Sequence, residues 1–396
     1  MKVYCKLNGV FHMYDGEKFF TVKTRPKGSN ELDKNFFDED KELNECLENY
    51  HKTLLIWFDE INEGLNLKLK RSWYRSEVQL LYLLFKIFRT DKDIEYDPVS
   101  FEESKWIEGC YRSGITYAKF GEYKNVNAYD FKKYYANLLG GDTTKKQFPM
   151  KAGIPTELKE LPDKLTYGIY RVRITSKKEN IQSIFSFSSE NHYTHEDIQY
   201  ALFLKKWGYI DTVELIQDGE DNALLYYDLI NSKDIFGRYV NILNKLALDY
   251  PKNKSIKMLL SSVWGRIWTK NTIIKMTETK WLSLNEEEKN KHYCVKVEFE
   301  FDWKKKESYT VLSLVKAESL YKYNIRVQPF ITSFARKKMG NRIVKHFDDI
   351  VRVQTDGVIF KNTPETCNLD KGFFVIDKNY NKKDIKLQDK KHVYFI

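Results

Sequence analysis

Asp130 and Asp356 are the residues on which a chemistry can be built. Asp130 closes the apolar run in NVNAYDFKKYYANLL, just before a segment with helical spacing. Asp356 sits in the tight turn Thr355-Asp356-Gly357, between two β-rich runs in DIVRVQTDGVIF. Between them in sequence, KNKSIKMLLSSVWGRIW sets Lys257, Ser261 and Trp264 at i, i+4 and i+7, on one face of a helix. Each patch also has an ordinary reading. A turn Asp caps backbone N–H groups, and the lysine-bearing stretch is an amphipathic core helix with a solvated basic side. Together, two carboxylates remote in sequence and a lysine meet the needs of two-metal phosphoryl or nucleotidyl transfer. Two ions about 4 Å apart need shared carboxylate ligands. Mg²⁺ takes a few carboxylates and completes its shell with water and substrate phosphate. A lysine on a triphosphate offsets charge as pyrophosphate leaves.

Such residues need rigid elements to hold them. The first 25 residues alternate apolar and polar around Asn8-Gly9 and Asp15-Gly16, which predicts a small β-meander. Residues 26–43 are polar and predict a surface loop; helical spacing follows over 41–63 and 73–88. RTDKDIEYDPVS connects to a region punctuated by Gly114, Gly121 and Gly140-Gly141. LTYGIYRVRI, IQSIFSF and DTVELIQ predict strands, and 196–207 a helix. Residues 234–270 predict helices interrupted at Asp249-Tyr250-Pro251; CVKVEFEFDW predicts a strand, 313–340 a mainly helical stretch, and DDIVRVQTDGVIF a strand-turn-strand. The fold class expected is α+β.

Composition bounds the partners. The 396 residues are 42% hydrophobic and 31% charged, so a sizeable core is available and a disordered chain is excluded. With 66 Lys+Arg against 56 Asp+Glu, the net charge of +10 favours a polyanionic partner. Cys5, Cys46, Cys110, Cys294 and Cys367 form no C-x-x-C pair, which argues against a disulfide framework or a zinc module and suits a reducing compartment. MKVYCKLNGVFHMYDG lacks the apolar core of a signal peptide, and VQLLYLLFKIF is too short to span a bilayer. The expectation is a soluble, intracellular protein with no membrane partner.

Five stretches in order resemble the family B DNA polymerases, and within them the protein-primed group of linear phages, plasmids and mitochondrial elements. Asp130-Phe-Lys-Lys-Tyr-Tyr135-Ala resembles D-x-x-S-L-Y-P, and Lys257-Met-Leu-Leu-Ser-Ser-Val-Trp-Gly265 resembles K-x-x-x-N-S-x-Y-G. Gln354-Thr355-Asp356-Gly357 resembles D-T-D-S, Tyr111-Arg112-Ser113-Gly114 resembles Y-x-G-G, and Lys390-Lys391-His-Val-Tyr394 is a looser match to K-x-Y. The resemblance covers roughly residues 100–396.

That resemblance implies a right-hand-like palm with short helical fingers, and a set of roles. Asp130, Asp356 and the backbone carbonyl near Phe131 would hold Mg²⁺, with Mn²⁺ able to stand in. Tyr135 would exclude a 2′-hydroxyl, Lys257 would contact the triphosphate, and Ser261 and Trp264 would line the pocket for the new base pair. Arg238 and Lys245 would help to funnel dNTPs. Tyr111, Arg112 and Gly114 would guide template, Thr355 would meet DNA, and Lys391 with Tyr394 would hold the primer. The segments expected are an N-terminal meander and helical region (1–100), linker with first palm half and insertion (101–235), fingers (236–275), a second insertion with the palm helix (276–345), and the catalytic hairpin with the primer-contacting end (346–396).

The departures carry expectations too. Gln354 replaces the first carboxylate of D-T-D-S, lowering the site's charge by one, and Ser261 and Trp264 replace Asn and Tyr. Only about 110 residues precede Tyr111, which leaves no room for the family's exonuclease; Asp59-Glu60 reads as a helix face, and no proofreading is expected. The chain stops two residues after Tyr394, so a thumb is absent or minimal and a partner would substitute for it. His192-x-x-His195 reads as a surface helix start with Thr194 as N-cap and Asp197 at N3, and Lys304–Lys306 as a surface charge run. The sequence thus points to a DNA-directed DNA polymerase acting on primer–template DNA and dNTPs. A terminal protein primer or accessory subunit would assist it, at the site of replication of a virus or plasmid, such as the host cytoplasm. The alternative is a catalytically degenerate, polymerase-like nucleic-acid-binding or scaffold protein.

Overall fold

The computed structural model describes residues 2–7, 10–22, 30–31, 42–70, 77–91, 94–110, 114–140, 145–185, 188–268, 274–302, 307–316, 324–361, 374–377, 379–388 and 394–395. Strands β1 (Val3–Leu7), β2 (Val10–Tyr14), β3 (Phe19–Val22) and β4 (Asn30–Glu31) lead to helices α1 (Leu43–Gly64) and α2 (Glu77–Phe88). Next come α3 (Phe101–Cys110), β5 (Thr116–Ala118), β6 (Gly121–Tyr123), β7 (Asn127–Phe131) and α4 (Tyr134–Leu139). They are followed by β8 (Gln147–Pro149), β9 (Ile154–Thr156), β10 (Gly168–Thr175), α5 (Glu179–Phe185), β11 (His192–Thr194), α6 (His195–Lys206), β12 (Thr212–Leu215), β13 (Ala223–Leu225) and β14 (Leu229–Asn231). The chain continues through α7 (Ser232–Asp249), α8 (Lys254–Arg266), β15 (Ile274–Thr277), α9 (Glu278–Leu282), α10 (Glu286–Asn290), β16 (His292–Asp302) and β17 (Glu307–Lys316). It closes with α11 (Val327–Ile343), a 3-10 turn at Val344–Asp349, β18 (Ile350–Gln354), β19 (Gly357–Phe360), β20 (Phe374–Ile376), β21 (Ile385–Leu387) and β22 (Tyr394–Phe395). The architecture is α+β.

Two compact units result. The first takes Met1–Asp93, Leu139–Lys145 and Ser232–Gly265. Its sheet has the order β3-β2-β1-β4, a meander with one parallel addition. Helix α1 buries Leu47, Tyr50, Leu54, Phe58 and Ile61, an apolar stripe at three- and four-residue spacing. Helix α7 buries Phe236, Tyr239, Leu243 and Leu246, and Phe85 of α2 stacks on Phe236 at 5.8 Å. Pro251 follows the end of α7, where it cannot continue the helix. Asn253 then starts α8: its side chain accepts from the Ile256 N–H and donates to the Trp57 carbonyl and to Glu60. Residues 1–93 and the α7–α8 segment, separate in the sequence reading, are therefore bound by one core, because α7 needs α1 and α2 to cover its apolar face.

The second unit takes Ile94–Leu138, Lys146–Asn231 and Arg266–Ile396. Its central sheet has the order β20-β7-β19-β18-β5, so strands from the middle and the end of the chain interleave. Val126, Ala128, Val351, Ile359, Ile385 and Leu387 pack together against it. A second sheet, β11-β10-β13-β9 with β12 on β10, lies in the insertion between β7 and α7. Helix α11 is buried along most of its length and carries two buried ion pairs. Arg326 makes bidentate bonds to Glu103 at 2.6 and 2.7 Å, and Arg336 binds Asp197 at 2.8 and 3.0 Å. Such pairs specify a partner more than they stabilise, since their desolvation offsets most of the attraction. No helix among the described residues is long and apolar enough to cross a membrane.

Two sequence expectations are corrected. The IQSIF part of the expected IQSIFSF strand is helical, and the rest lies outside the described residues: α5 covers Glu179–Phe185 and buries Ile181, Ile184 and Phe185, a three- and four-residue spacing that the β-prone composition masked. Residues 313–316 belong to β17, whose long register with β16 extends the hairpin before α11 begins at Val327.

Candidate active site

The two aspartates meet across adjacent strands. Asp130 lies next to the end of β7, opposite Gly357 of β19 on one side and Val375 of β20 on the other. Asp356 precedes Gly357 in the β18–β19 turn, and its carbonyl accepts the Phe131 N–H at 2.9 Å. Both carboxylate-bearing residues are half-buried. A Cβ placed on Gly357 would lie 3.9 Å from the Asp130 Oδ1, so the Asp130 carboxylate reaches over the start of β19.

The turn itself is held by neighbouring backbone. The Thr355 N–H donates to the Ile115 carbonyl at 2.9 Å, and Thr355 takes φ +58°, an uncommon conformation for a β-branched residue. Gly114 allows this approach: a Cβ there would stand 2.8 Å from the Thr355 Cα. Of the proposed template-guiding residues, Gly114 thus braces the turn that carries Asp356.

The position expected to hold a further carboxylate carries a different polar set. Gln354 is exposed, and its side-chain oxygen accepts from the Arg352 guanidinium. Gln354 pairs with Gly357 and Arg352 with Ile359. By the two-residue period of a strand, both side chains share the face that bears Asp130.

Past Asp130 the chain turns through Lys133 at φ +51° into α4. Tyr134 is buried; it stacks on Phe131 at 4.7 Å and donates its hydroxyl to the Ala335 carbonyl. Burial pushes that hydroxyl's pKa up, and the nearby Tyr135 and Asp356 add to the effect. Tyr135 is half-buried and edge-on to Tyr134 at 5.3 Å.

Among the described residues no group of three His, Cys, Asp or Glu could hold a metal ion. Two aspartates brought together by the β7–β19 pairing are the kind of donor Mg²⁺ takes, one or two carboxylates with water and substrate phosphates.

In the first unit Lys257 and Ser261 are exposed on α8, while Trp264 is 2% exposed and edge-on to Phe236 at 5.3 Å. The face predicted from i, i+4, i+7 spacing is therefore split: Trp264 joins Leu260 and Val263 in the core because the indole is the largest apolar surface near that edge of the stripe. Arg238 and Lys245 are exposed on α7, with Arg238 over the Phe88 ring. Tyr111, Arg112, Lys391, Lys304–Lys306 and the side chain of Tyr394 lie outside the described residues; the Tyr394 backbone pairs with Lys386. The surface placement expected for His192-x-x-His195 is corrected: both are buried, His192 against Trp106 and His195 against Tyr167 and Phe330, while Thr194 caps α6 as expected and Asp197 completes a capping box.

No protein-family model matches the chain. A DNA polymerase of Kluyveromyces lactis is 22% identical over 293 residues, 66% of this chain and 27% of that protein. Phi29 DNA polymerase complexed with single-stranded DNA superposes with a TM-score of 0.54 at 15% identity, over 97% of this chain and 69% of that one. Its complex with primer–template DNA gives 0.52 at 17% identity, over 86% and 56%. The fold is that of phi29 DNA polymerase. The chain spans about a quarter of the K. lactis protein and between half and two thirds of most phi29 polymerase chains. These neighbours match the resemblance read from the ordered motifs.

In this phi29-like fold the sequence reading passed over Arg352, on the strand face that bears Asp130, and the cations Arg336 and Lys338 of α11. Arg352 stands two residues from Gln354, so the strand period could have flagged it. Arg336 and Lys338 sit on α11, where charged residues inside an otherwise buried helix were the available signal.

Proposed function

We propose that this chain is a DNA-directed DNA polymerase of family B type. It adds deoxynucleotides to a primer 3′-hydroxyl by two-metal-ion nucleotidyl transfer, in the replication of a virus or mobile element. The observation that carries the reading is the meeting of Asp130 and Asp356 across β7 and β19 within a phi29-like fold. Phi29 polymerase has been seen with primer–template DNA and incoming nucleotides, which supports the same partners here.

Asp130, Asp356 and the Phe131 carbonyl would hold Mg²⁺ or Mn²⁺, which would supply Lewis-acid activation of the primer hydroxyl and offset charge on the phosphate. Tyr135 closes the sugar pocket against a ribose 2′-hydroxyl. Lys257 and Ser261 on α8 and Arg238 and Lys245 on α7 draw in the triphosphate, and Trp264 supports α8 from within. Gly114 and Thr355 fix the turn beside the DNA. Tyr111 and Arg112 guide template, and Lys391 with Tyr394 steadies the primer. A terminal protein or an accessory subunit completes the working complex. Contacts to phosphate make DNA binding fall steeply with salt.

The test is extension of a labelled primer–template by the purified chain, with dNTPs and Mg²⁺ or Mn²⁺, beside Asp356→Ala. Template-directed extension that Asp356→Ala abolishes supports the reading; extension that survives it overturns the assignment of the site. The engagement of Gln354 by Arg352, which sets a cation where a carboxylate is expected, favours a second reading: a polymerase-like protein that binds nucleic acid without chemistry. Binding of the primer–template with no extension in either metal would select it.

A further inference from the structure

We propose that Trp207 and Phe203, with Tyr209, Lys178, Lys206 and Lys345, form a second nucleic-acid surface. It takes single-stranded DNA, stacking bases on the rings and meeting phosphates with the lysines. The proposal goes beyond the polymerase reading: these residues belong to other elements than those that carry Asp130 and Asp356.

The surface is built where α6 ends. The helix stops through Gly208, whose φ of +73° is the left-handed conformation that glycine adopts at a helix C-terminus. The Trp207 and Tyr209 N–H groups both donate to the Leu204 carbonyl, at 3.1 and 3.0 Å. The chain reversal is thereby fixed, and it leaves Trp207 63% exposed beside Phe203 at 46%. Their ring centroids are 6.1 Å apart at 51°, so neither ring covers the other's face. A Cβ on Gly208 would meet nothing within 4 Å, so the space beside the backbone between Trp207 and Tyr209 is open.

Lysines from three elements converge on these rings. Lys345, in the 3-10 turn before β18, stands 5.8 Å from the Trp207 centroid, and Lys178, between β10 and α5, stands 5.4 Å from that of Tyr209. Lys206 lies three residues after Phe203, on the same face of α6. The Lys178 loop is tied to the aromatic step: the Ser176 hydroxyl donates to the Tyr209 carbonyl at 2.7 Å and accepts the Lys178 N–H at 3.2 Å. Each feature alone has an ordinary account. Single exposed aromatics are normal on a surface, and a lysine in the last turn of a helix offsets its dipole. Neither account brings Lys178 and Lys345, from separate elements, over rings that the end of α6 leaves uncovered. An apolar protein partner would have to bury those ammonium groups. A single strand offers flat bases to the rings and phosphates to the lysines at once, and the net charge of +10 favours it. Strand β18 runs Ile350–Gln354 between the two turns, so the Lys345 turn lies at the end of that strand away from Asp356.

Fluorescence anisotropy of a labelled dT oligonucleotide titrated with the full chain tests the surface. Trp207→Ala is expected to weaken binding about tenfold, the loss of one stacked base. Trp207→Phe, which keeps a flat ring, should recover most of that loss, whereas Trp207→Leu, apolar but not flat, should bind as weakly as Trp207→Ala. Lys178→Gln combined with Lys345→Gln should reduce the slope of log Kd against log salt by about 1.4. A blunt duplex of the same length should bind wild type and Trp207→Ala equally. Unchanged dT affinity in Trp207→Ala combined with Phe203→Ala overturns the proposal. So does an equal loss for the duplex, which would make this a phosphate surface without stacking, and so does a recovery in Trp207→Leu as complete as in Trp207→Phe. Binding of dT through Trp207 in a chain that extends no primer leaves the surface standing while the polymerase reading falls; extension with dT affinity unchanged in these variants does the reverse.

Discussion

At the residue scale the site turns on how two carboxylates work beside an arginine. Asp130 and Asp356 are half-buried and tied together through backbone, so Asp→Asn at either position should leave the fold intact while removing a metal ligand. Primer extension should drop roughly a thousandfold or more, on the scale of the several kcal/mol that bound metal contributes; circular dichroism melts should move little. Gln354 allows a sharper prediction. Gln354→Asp alone should scarcely change metal affinity, because the new carboxylate pairs with the Arg352 guanidinium that now binds the amide. Adding Arg352→Gln should release that carboxylate, and Mn²⁺ affinity measured by titration should rise at least about tenfold, a coupling visible only in the full double-mutant cycle. Additive effects would place Arg352 outside the site. The aspartates were legible in sequence because each ends an apolar run and is followed by turn chemistry. Arg352 was passed over although it shares the two-residue period with Gln354, because that period gives the face of an arginine and not the group it binds. Trp264 was placed on the right helix but given the wrong exposure, since helical spacing alone does not say which edge of a stripe the core will claim.

At the scale of elements, the β18–β19 turn is built by its neighbour as much as by its own residues. Thr355 holds φ +58°, and Gly114 leaves the space in which its backbone lies. Gly114→Ala would put a Cβ 2.8 Å from the Thr355 Cα. The displacement should cost about 1–3 kcal/mol of stability and lower extension by more than that loss explains, because Asp356 moves with the turn. Thr355→Gly should stabilise the chain by on the order of 1 kcal/mol by relieving the left-handed conformation. It should not rescue Gly114→Ala, because the close contact is with the Cα that glycine keeps. A rescue in denaturant unfolding would mean that the threonine side chain, and not the backbone, sets the fit. The hairpin and the α7–α8 pair were readable from alternation and from Pro251, respectively. The IQSIF part of IQSIFSF was not, because a short apolar run is compatible with either period until tertiary packing chooses.

At the scale of the whole molecule, sequence order hid two facts of assembly: the α7–α8 segment shares a core with residues 1–93, and the central sheet draws strands from both sides of a long insertion. Both depend on which apolar faces find each other, which no local pattern states. The second unit also encloses His192 and His195, whose titration makes its stability depend on pH. Burial lowers both pKa values from 6.5 to about 4. Arg171 reinforces this at His192, beside Glu190; at His195 burial prevails over Glu196 and Asp197, with Lys337 assisting. His195 Nδ1 accepts the Gly168 N–H, a bond that protonation there would break. Because the folded values lie below the unfolded ones, the unfolded chain binds more protons between about pH 4 and 6.5, and stability rises with pH across that window. It is fully present above pH 6.5 and is lost as pH falls through 4, by on the order of 3 kcal/mol for each histidine at the limit. Urea midpoints should therefore fall across this range. His195→Asn, which keeps an acceptor for the Gly168 N–H but does not titrate, should flatten the slope even though it lowers the starting stability. Glu196 beside His195 is held below the usual carboxylate range by Lys337, against its own burial. A slope between pH 5 and 6.5 that His192→Asn and His195→Asn together leave unchanged would place the acid sensitivity elsewhere in the chain.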